Sequence, residues 1–136
     1  MIIRIDQTST TPLYLQIRAQ IIAGIAAGEL AVGDALPSVR ALAADLGINL
    51  HTVNKAYAVL RDEGYVFMKG RSGAFIAEPA QTEHTARTES RIAHALGELV
   101  REHKAAGGTA EAFLMEARAQ VDAAYGIDAS KHSSLN

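Results

Sequence analysis

Apolar residues recur with a helical period through the first sixty positions. Leu13, Ile17, Ile21 and Ile25 fall four apart, the spacing of one helix face, and predict a helix from Pro12 to about Ala27. Thr11 reads as its N-cap, with Pro12 at the first helical position, where a missing N–H costs nothing. Gly28 stops the helix, and Leu30 to Asp34 reads as a connector. Ser38, after Pro37, opens a second helix over Val39–Leu46, with Val39, Leu42, Ala43 and Leu46 on one face. Gly47 ends it and Ile48 plugs the turn. Asn49 then caps a third helix whose Val53, Ala56, Tyr57 and Leu60 form the buried stripe. Two helices joined by a short turn containing glycine make a helix-turn-helix pattern.

After Asp62-Glu63-Gly64 the period changes. Tyr65 to Lys69 and Ala74 to Ala77 are rich in strand formers, and Gly70-Arg71-Ser72-Gly73 between them suits a turn. The result is a β-hairpin with a basic tip, a wing. Ile2, Ile3 and Ile5 predict a short leading strand. Pro79 opens a polar linker to about Thr85. A helix then reads from about Ala86 to Ala105, and after Gly107-Gly108 another runs from Thr109, its cap, to about Tyr125. Gly126 ends it and the tail to Asn136 reads as frayed. The fold class is therefore mostly α with a small β-hairpin: an N-terminal winged helix-turn-helix over residues 1–77 and a two-helix region over 78–136.

Composition narrows the classes. The chain has 136 residues, nearly half of them hydrophobic, and no cysteine, which excludes disulfides and thiolate metal sites. Its first residues, Met1 to Asp6, lack the pattern of a signal peptide. No stretch approaches the ~20 apolar residues that span a bilayer, so a cytoplasmic protein without membrane partners is expected. The formal net charge is −2, unfavourable for a nucleic-acid binder, but it is unevenly spread. Residues 1–77 carry seven Lys/Arg against six Asp/Glu, and residues 78–136 carry six against nine. Even the N-terminal part is close to neutral, so any case for DNA must come from placed residues.

Those residues cluster on the third helix. With Val53, Tyr57 and Leu60 turned inward, His51, Thr52, Asn54 and Lys55 project outward near its N-terminal end, where a recognition helix meets base edges in the major groove. Asn54 can pair bidentately with adenine, and Lys55 can reach a guanine edge or a phosphate. His51 and Thr52 suit phosphate or a thymine methyl. The bland alternative is an ordinary solvated face. Arg40, in the first turn of the second helix, can clamp a phosphate, or else pair with Asp45 or Asp34 at the surface. Ser38 and Asn49 are first of all caps. Lys69 and Arg71 flank the wing turn, suited to the backbone or minor groove, or simply to charged protection of an edge strand. Gly70 and Gly73 follow from turn geometry. The candidate DNA-contacting set is thus Ser38, Arg40, Asn49, His51, Thr52, Asn54, Lys55, Lys69, Gly70, Arg71 and Gly73. His94, Glu98 and Glu102 share one helix face, but a single helix brings three ligands to one ion poorly, so a solvated face is favoured over a metal site. No catalytic constellation and no cofactor motif is present.

The segments Pro12-Leu13-Tyr14-Leu15-Gln16-Ile17, Gly28-Glu29-Leu30, Gly33-Asp34, Leu36-Pro37-Ser38-Val39-Arg40-Ala41-Leu42-Ala43, Leu46-Gly47-Ile48, Thr52-Val53 and Gly64-Tyr65 together resemble the GntR family. Asn49, Thr52-Val53 and Ala56-Tyr57 are most similar to its YtrA subfamily, which also carries a short two-helix tail. The resemblance implies a dimeric repressor on a near-palindromic operator, controlling an operon that is transporter-linked in the family. It places DNA contacts on Arg40, His51, Thr52, Asn54 and the wing glycines. Leu50 departs from the pattern, standing where many relatives carry arginine, and implies a different operator preference.

Two helices after Pro79 cannot bury both apolar stripes within one subunit and are too few to enclose a metabolite. Pairing across a two-fold axis solves the burial problem and sets two recognition helices about one DNA turn apart, roughly 34 Å. A homodimer held by Ile92, Leu96, Leu99, Val100, Phe113, Ala117 and Val121 is expected. The dimer or domain interface leaves room for a small-molecule effector of unknown identity. Two rivals stand beside the repressor: a winged helix used as a protein-interaction adaptor, favoured by the near-neutral charge, and a non-specific nucleic-acid or RNA binder, disfavoured by the lack of exposed aromatic platforms.

Overall fold

A computed structural model of the chain describes residues 2–79 and 82–127. In order these form α1 (Leu13–Ala26), α2 (Val39–Leu46), α3 (Leu50–Asp62), β1 (Val66–Met68), β2 (Ala74–Ile76), α4 (Thr82–Ala105) and α5 (Ala110–Tyr125). They divide into two compact units, Met1–His84 and Thr85–Asn136.

The N-terminal unit is built on the predicted stripes. Ile17 and Ile21 of α1, Leu42 and Ala43 of α2, and Val53, Ala56, Tyr57 and Leu60 of α3 are buried together with Val66, Ala74 and Ile76 of the hairpin. Each large aliphatic side chain so buried contributes roughly 1.5–3 kcal/mol. Arg18 of α1 grips Glu63, just past the end of α3, with two hydrogen bonds of 2.6 and 2.9 Å. That bidentate pair pins α1 along α3, and Glu63 holds the guanidinium even more firmly protonated.

Three expectations change here. Thr11 does not cap α1. Pro12 has an extended ψ of 143° and is itself the flanking residue, its carbonyl accepting from Leu15 and Gln16 at 3.1 and 3.2 Å. Fixed in φ but free in ψ, proline here ends the preceding segment instead of starting the helix. Nor do Ile2, Ile3 and Ile5 form a strand. The arm runs past α1, where Gln16 and Gln20 stand in for a strand partner. Gln20 Oε1 accepts from the Arg4 N–H at 2.8 Å and its amide donates to the Arg4 carbonyl. Gln16 does the same for Asp6, at 2.8 and 3.0 Å. The arm thereby seats Ile3 in the core without a ladder. The hairpin, in turn, is shorter than its strand-forming residues predict, and β2 has a second neighbour. Gly33 and Leu36 donate to the carbonyls of Ile76 and Ala74, and Ile76 donates to Asp34, each at 2.9 Å. The connector before α2 thus covers the free edge of β2, a pairing between residues some forty apart that no local pattern reveals.

Helix α4, most of which belongs to the C-terminal unit, begins at Thr82, inside the expected linker, because polar residues do not oppose propagation of a helix nucleated further on. Gly107, at φ +93°, breaks it as expected. Thr109 caps α5 by accepting from the Ala112 N–H at 3.1 Å. Gly126 closes α5 in the left-handed region. The tail from residue 128 lies outside the described residues. At the α4–α5 turn the His103 ring stands edge-on to Phe113, with centroids 5.4 Å apart. A Cβ at Gly108 would fall 2.1 Å from His103 Nε2, so a larger residue there would have to displace that ring. His94 Nε2 lies 3.1 Å from Glu98 Oε1, an exposed pair one turn apart. None of the described residues of either helix is fully buried.

Candidate nucleic-acid interface

The sequence dictates the helix-turn-helix through its caps. Ser38 Oγ accepts from the Ala41 N–H at 3.0 Å and starts α2. Gly47, at φ +66°, ends it in a conformation that L side chains rarely adopt. Asn49 Oδ1 accepts from the His51 N–H at 2.8 Å and starts α3 two residues later. Tyr57 ties the module together from inside, its hydroxyl donating 2.7 Å to the Pro37 carbonyl ahead of α2. Burial pushes this phenol up to about 12.

With that stripe inward, His51, Asn54 and Lys55 are exposed on the outward side of α3, as predicted, while Thr52 is half-buried. Leu50 lies on one flank, half open to solvent, and puts an aliphatic surface where a guanidinium is implied for relatives. Arg40 is exposed. The Asp34 carboxylate, a suggested partner, accepts instead from the Ala31 N–H at 2.8 Å and closes the connector.

Thr52 lies on the other flank, with Lys55 between it and His51. The Lys55 ammonium lies over the Tyr14 ring, 4.2 Å from its centroid, a cation–π contact with the first turn of α1. Pro12, Leu13, Tyr14, Thr52 and Lys55 line an open cleft of about 570 Å³ between the two helices. Sequence reasoning placed Lys55 on the reading face but had no signal for Tyr14, 41 positions earlier.

The wing turn is closed by the Lys69 N–H donating to the Gly73 carbonyl at 3.1 Å. Gly70 and Gly73 have φ of +52° and +98°, so glycine is needed at both for geometry. Lys69 and Arg71 are exposed at the tip. On the outer face Phe67 and Phe75 stack with centroids 5.6 Å apart, and Phe67 is 42% exposed. The expected lack of an exposed aromatic surface therefore does not hold.

Residues 13–76 match the family described as bacterial regulatory proteins, gntR family. The chain is 37% identical over 99 residues to the HTH-type transcriptional regulator Rv1152 of Mycobacterium tuberculosis, covering 70% of this chain and 82% of that one. The chain belongs to the GntR family. Within it, the similarity to YtrA proteins is direct. Identity is 44% over 81 residues to the HTH-type transcriptional repressor YtrA of Bacillus subtilis, covering 59% of this chain and 62% of that one. The solved structure of YtrA from Sulfolobus acidocaldarius, a GntR-family transcription factor, is 45% identical, with a TM-score of 0.54 over 70% of this chain and 99% of that one. This GntR protein is thus a transcriptional regulator with a DNA-binding winged helix; its relatives are named regulators, not enzymes. Among the described residues no helix is long and apolar enough to cross a membrane.

Proposed function

We propose that this GntR regulator is a homodimeric repressor that binds a near-palindromic operator and controls an operon, with neighbouring transporter genes as the first targets to examine. The observation that carries the reading is the apolar surface left open along α4 and α5. Ile92 is 57% exposed and Leu99 53%, with Leu96, Val100 and Val121 also in solvent. Phe113 and Ala117 are only half-buried. Solvated rows of this kind favour a second copy, and a two-fold pair presents two α3 helices to successive turns of one DNA face. Leu114, Met115 and Tyr125, absent from the predicted interface, are at least as exposed and widen it.

In this reading Arg40 takes a phosphate and His51 and Asn54 meet base edges. Ser38, Asn49 and Thr52 hold the helix ends against the backbone. Lys69 and Arg71 carry the wing to the adjacent strand, shaped by Gly70 and Gly73. The protein is expected to bind its own upstream region more tightly than a scrambled duplex across the salt range in which it binds DNA. Asn54→Ala costs ~1–3 kcal/mol on the operator and little on scrambled DNA. Equal wild-type affinity for both duplexes overturns the repressor, and no binding even at low salt favours the adaptor.

A further inference from the structure

We infer that Tyr14 is a positioning residue of the DNA interface. Its ring holds the Lys55 ammonium at the α1 edge of α3, so that Lys55 takes a backbone phosphate and not a base edge. The inference rests on the DNA-binding reading above and deepens it.

The geometry of the groove separates the two roles. An α-helix with its side chains is about 10–12 Å across, and the major groove is about 12 Å wide. A seated α3 therefore fills the groove, with the side opposite its buried stripe on the floor and its flanks against the phosphate walls. His51 lies at the centre of that side, with Asn54 to one side of it and Lys55 to the other. Lys55 starts from the outward side of α3, and with Thr52 it lines the open cleft shared with Pro12, Leu13 and Tyr14 at the start of α1; where its ammonium goes is therefore set by its side chain. A lysine extended from α3 could reach a guanine, but this one is laid back on α1, with its nitrogen 4.2 Å from the ring centroid. The nature of the contact matters as well. A carboxylate partner would neutralise the ammonium, whereas an aromatic face orients it and leaves its whole charge for an anion. In an N-terminal unit so close to neutral, one oriented and uncompensated cation is a substantial part of the phosphate-binding capacity. The cleft is open, and Thr52 lines it together with Lys55, so a phosphate has room to reach the ammonium.

The test compares wild type, Lys55→Ala, Tyr14→Leu, Tyr14→Phe and the Tyr14→Leu/Lys55→Ala double variant on the upstream and scrambled duplexes across salt. Lys55→Ala weakens both duplexes by the same factor and lowers the salt slope by about 1. Tyr14→Leu weakens both by about two- to fivefold and adds nothing in the Lys55→Ala background. Tyr14→Phe, which keeps the ring, restores the affinity that leucine loses. In the free protein the Lys55 ε-methylene protons carry an upfield ring-current shift, present with tyrosine or phenylalanine and absent with leucine; this readout needs no DNA. A Lys55→Ala loss confined to the operator makes Lys55 a base reader and overturns the inference. So does full additivity of the two substitutions, or an unshifted methylene in the wild type. Wild-type affinity equal for the two duplexes overturns the operator reading alone and leaves the phosphate clamp standing. No binding to either duplex overturns both.

Discussion

Tyr57 shows how one side chain sets the geometry of the reading head. Its ring lies in the core, and its hydroxyl reaches the Pro37 carbonyl at 2.7 Å, so α3 cannot shift along its axis without unseating the start of α2. The phenol, pushed up to about 12 by burial, also predicts a pH dependence. The folded state keeps the proton more tightly than the unfolded chain, whose tyrosine titrates near ~10. The stability is therefore complete below pH ~10 and is lost as pH rises towards about 12. Urea unfolding across this range shows the decline, and Tyr57→Phe removes Tyr57's share of it while costing about 1 kcal/mol at neutral pH. An unaltered profile in the variant assigns the decline to other groups. Gly47 acts through the backbone alone. A Cβ there would touch nothing within 4 Å, yet φ is +66°, so Gly47→Ala costs roughly 1–2 kcal/mol by urea unfolding. Residues with local jobs, Ser38, Gly47, Asn49 and Thr109, were all legible in the sequence because a cap or a positive φ involves only its immediate neighbours. The Tyr57 bond was not, since its acceptor stands 20 residues away.

Among the elements, α1 has more work than its apolar stripe predicts. Its inward residues fill the core, Gln16 and Gln20 tie down the N-terminal arm, and Arg18 reaches the end of α3. The polar positions of α1 look like a solvated face in sequence, because periodicity separates inside from outside but does not name the partners of the outside. Arg18→Ala is expected to lower the stability of the N-terminal unit by about 1–2 kcal/mol, less than a fully buried pair because both side chains keep some solvent. Comparing the urea midpoints of variant and wild type measures it, and an unchanged midpoint shows that the pair orders the surface without stabilising the fold. The hairpin makes the same point. Strand-forming residues predicted longer strands, but β2 is set by what lies on either edge, β1 on one side and Gly33 to Leu36 on the other.

For the molecule as a whole, near-neutral charge and open apolar helices belong together. A monomer with so little surplus positive charge has a weak general hold on DNA, and coupling two reading heads raises affinity without any new contact. Leu96→Glu tests this directly. Leu96 is 47% exposed in the single chain, so the change should leave the helical circular dichroism intact. It is expected to give monomers by sedimentation and to lose operator affinity. A dimer that persists places the interface elsewhere on α4 and α5.

The amino-acid sequence by itself determined the order of elements, their apolar faces, the caps and glycine turns, and the winged helix-turn-helix with two further helices. Each depends on steric and hydrogen-bonding rules that act within about four residues, or on a period that repeats along the chain. Only the tertiary structure decided which distant groups meet: Tyr14 beneath Lys55, Tyr57 at Pro37, the glutamine-held arm and the connector along β2. Those pairings follow from how packed helices bring separated positions to one point in space, and a one-dimensional pattern carries no record of it. For the candidate DNA-contacting residues the division is the same. Which side of α3 faces outward was written in the spacing of Val53, Tyr57 and Leu60; that Lys55 leans back towards α1 was settled by packing.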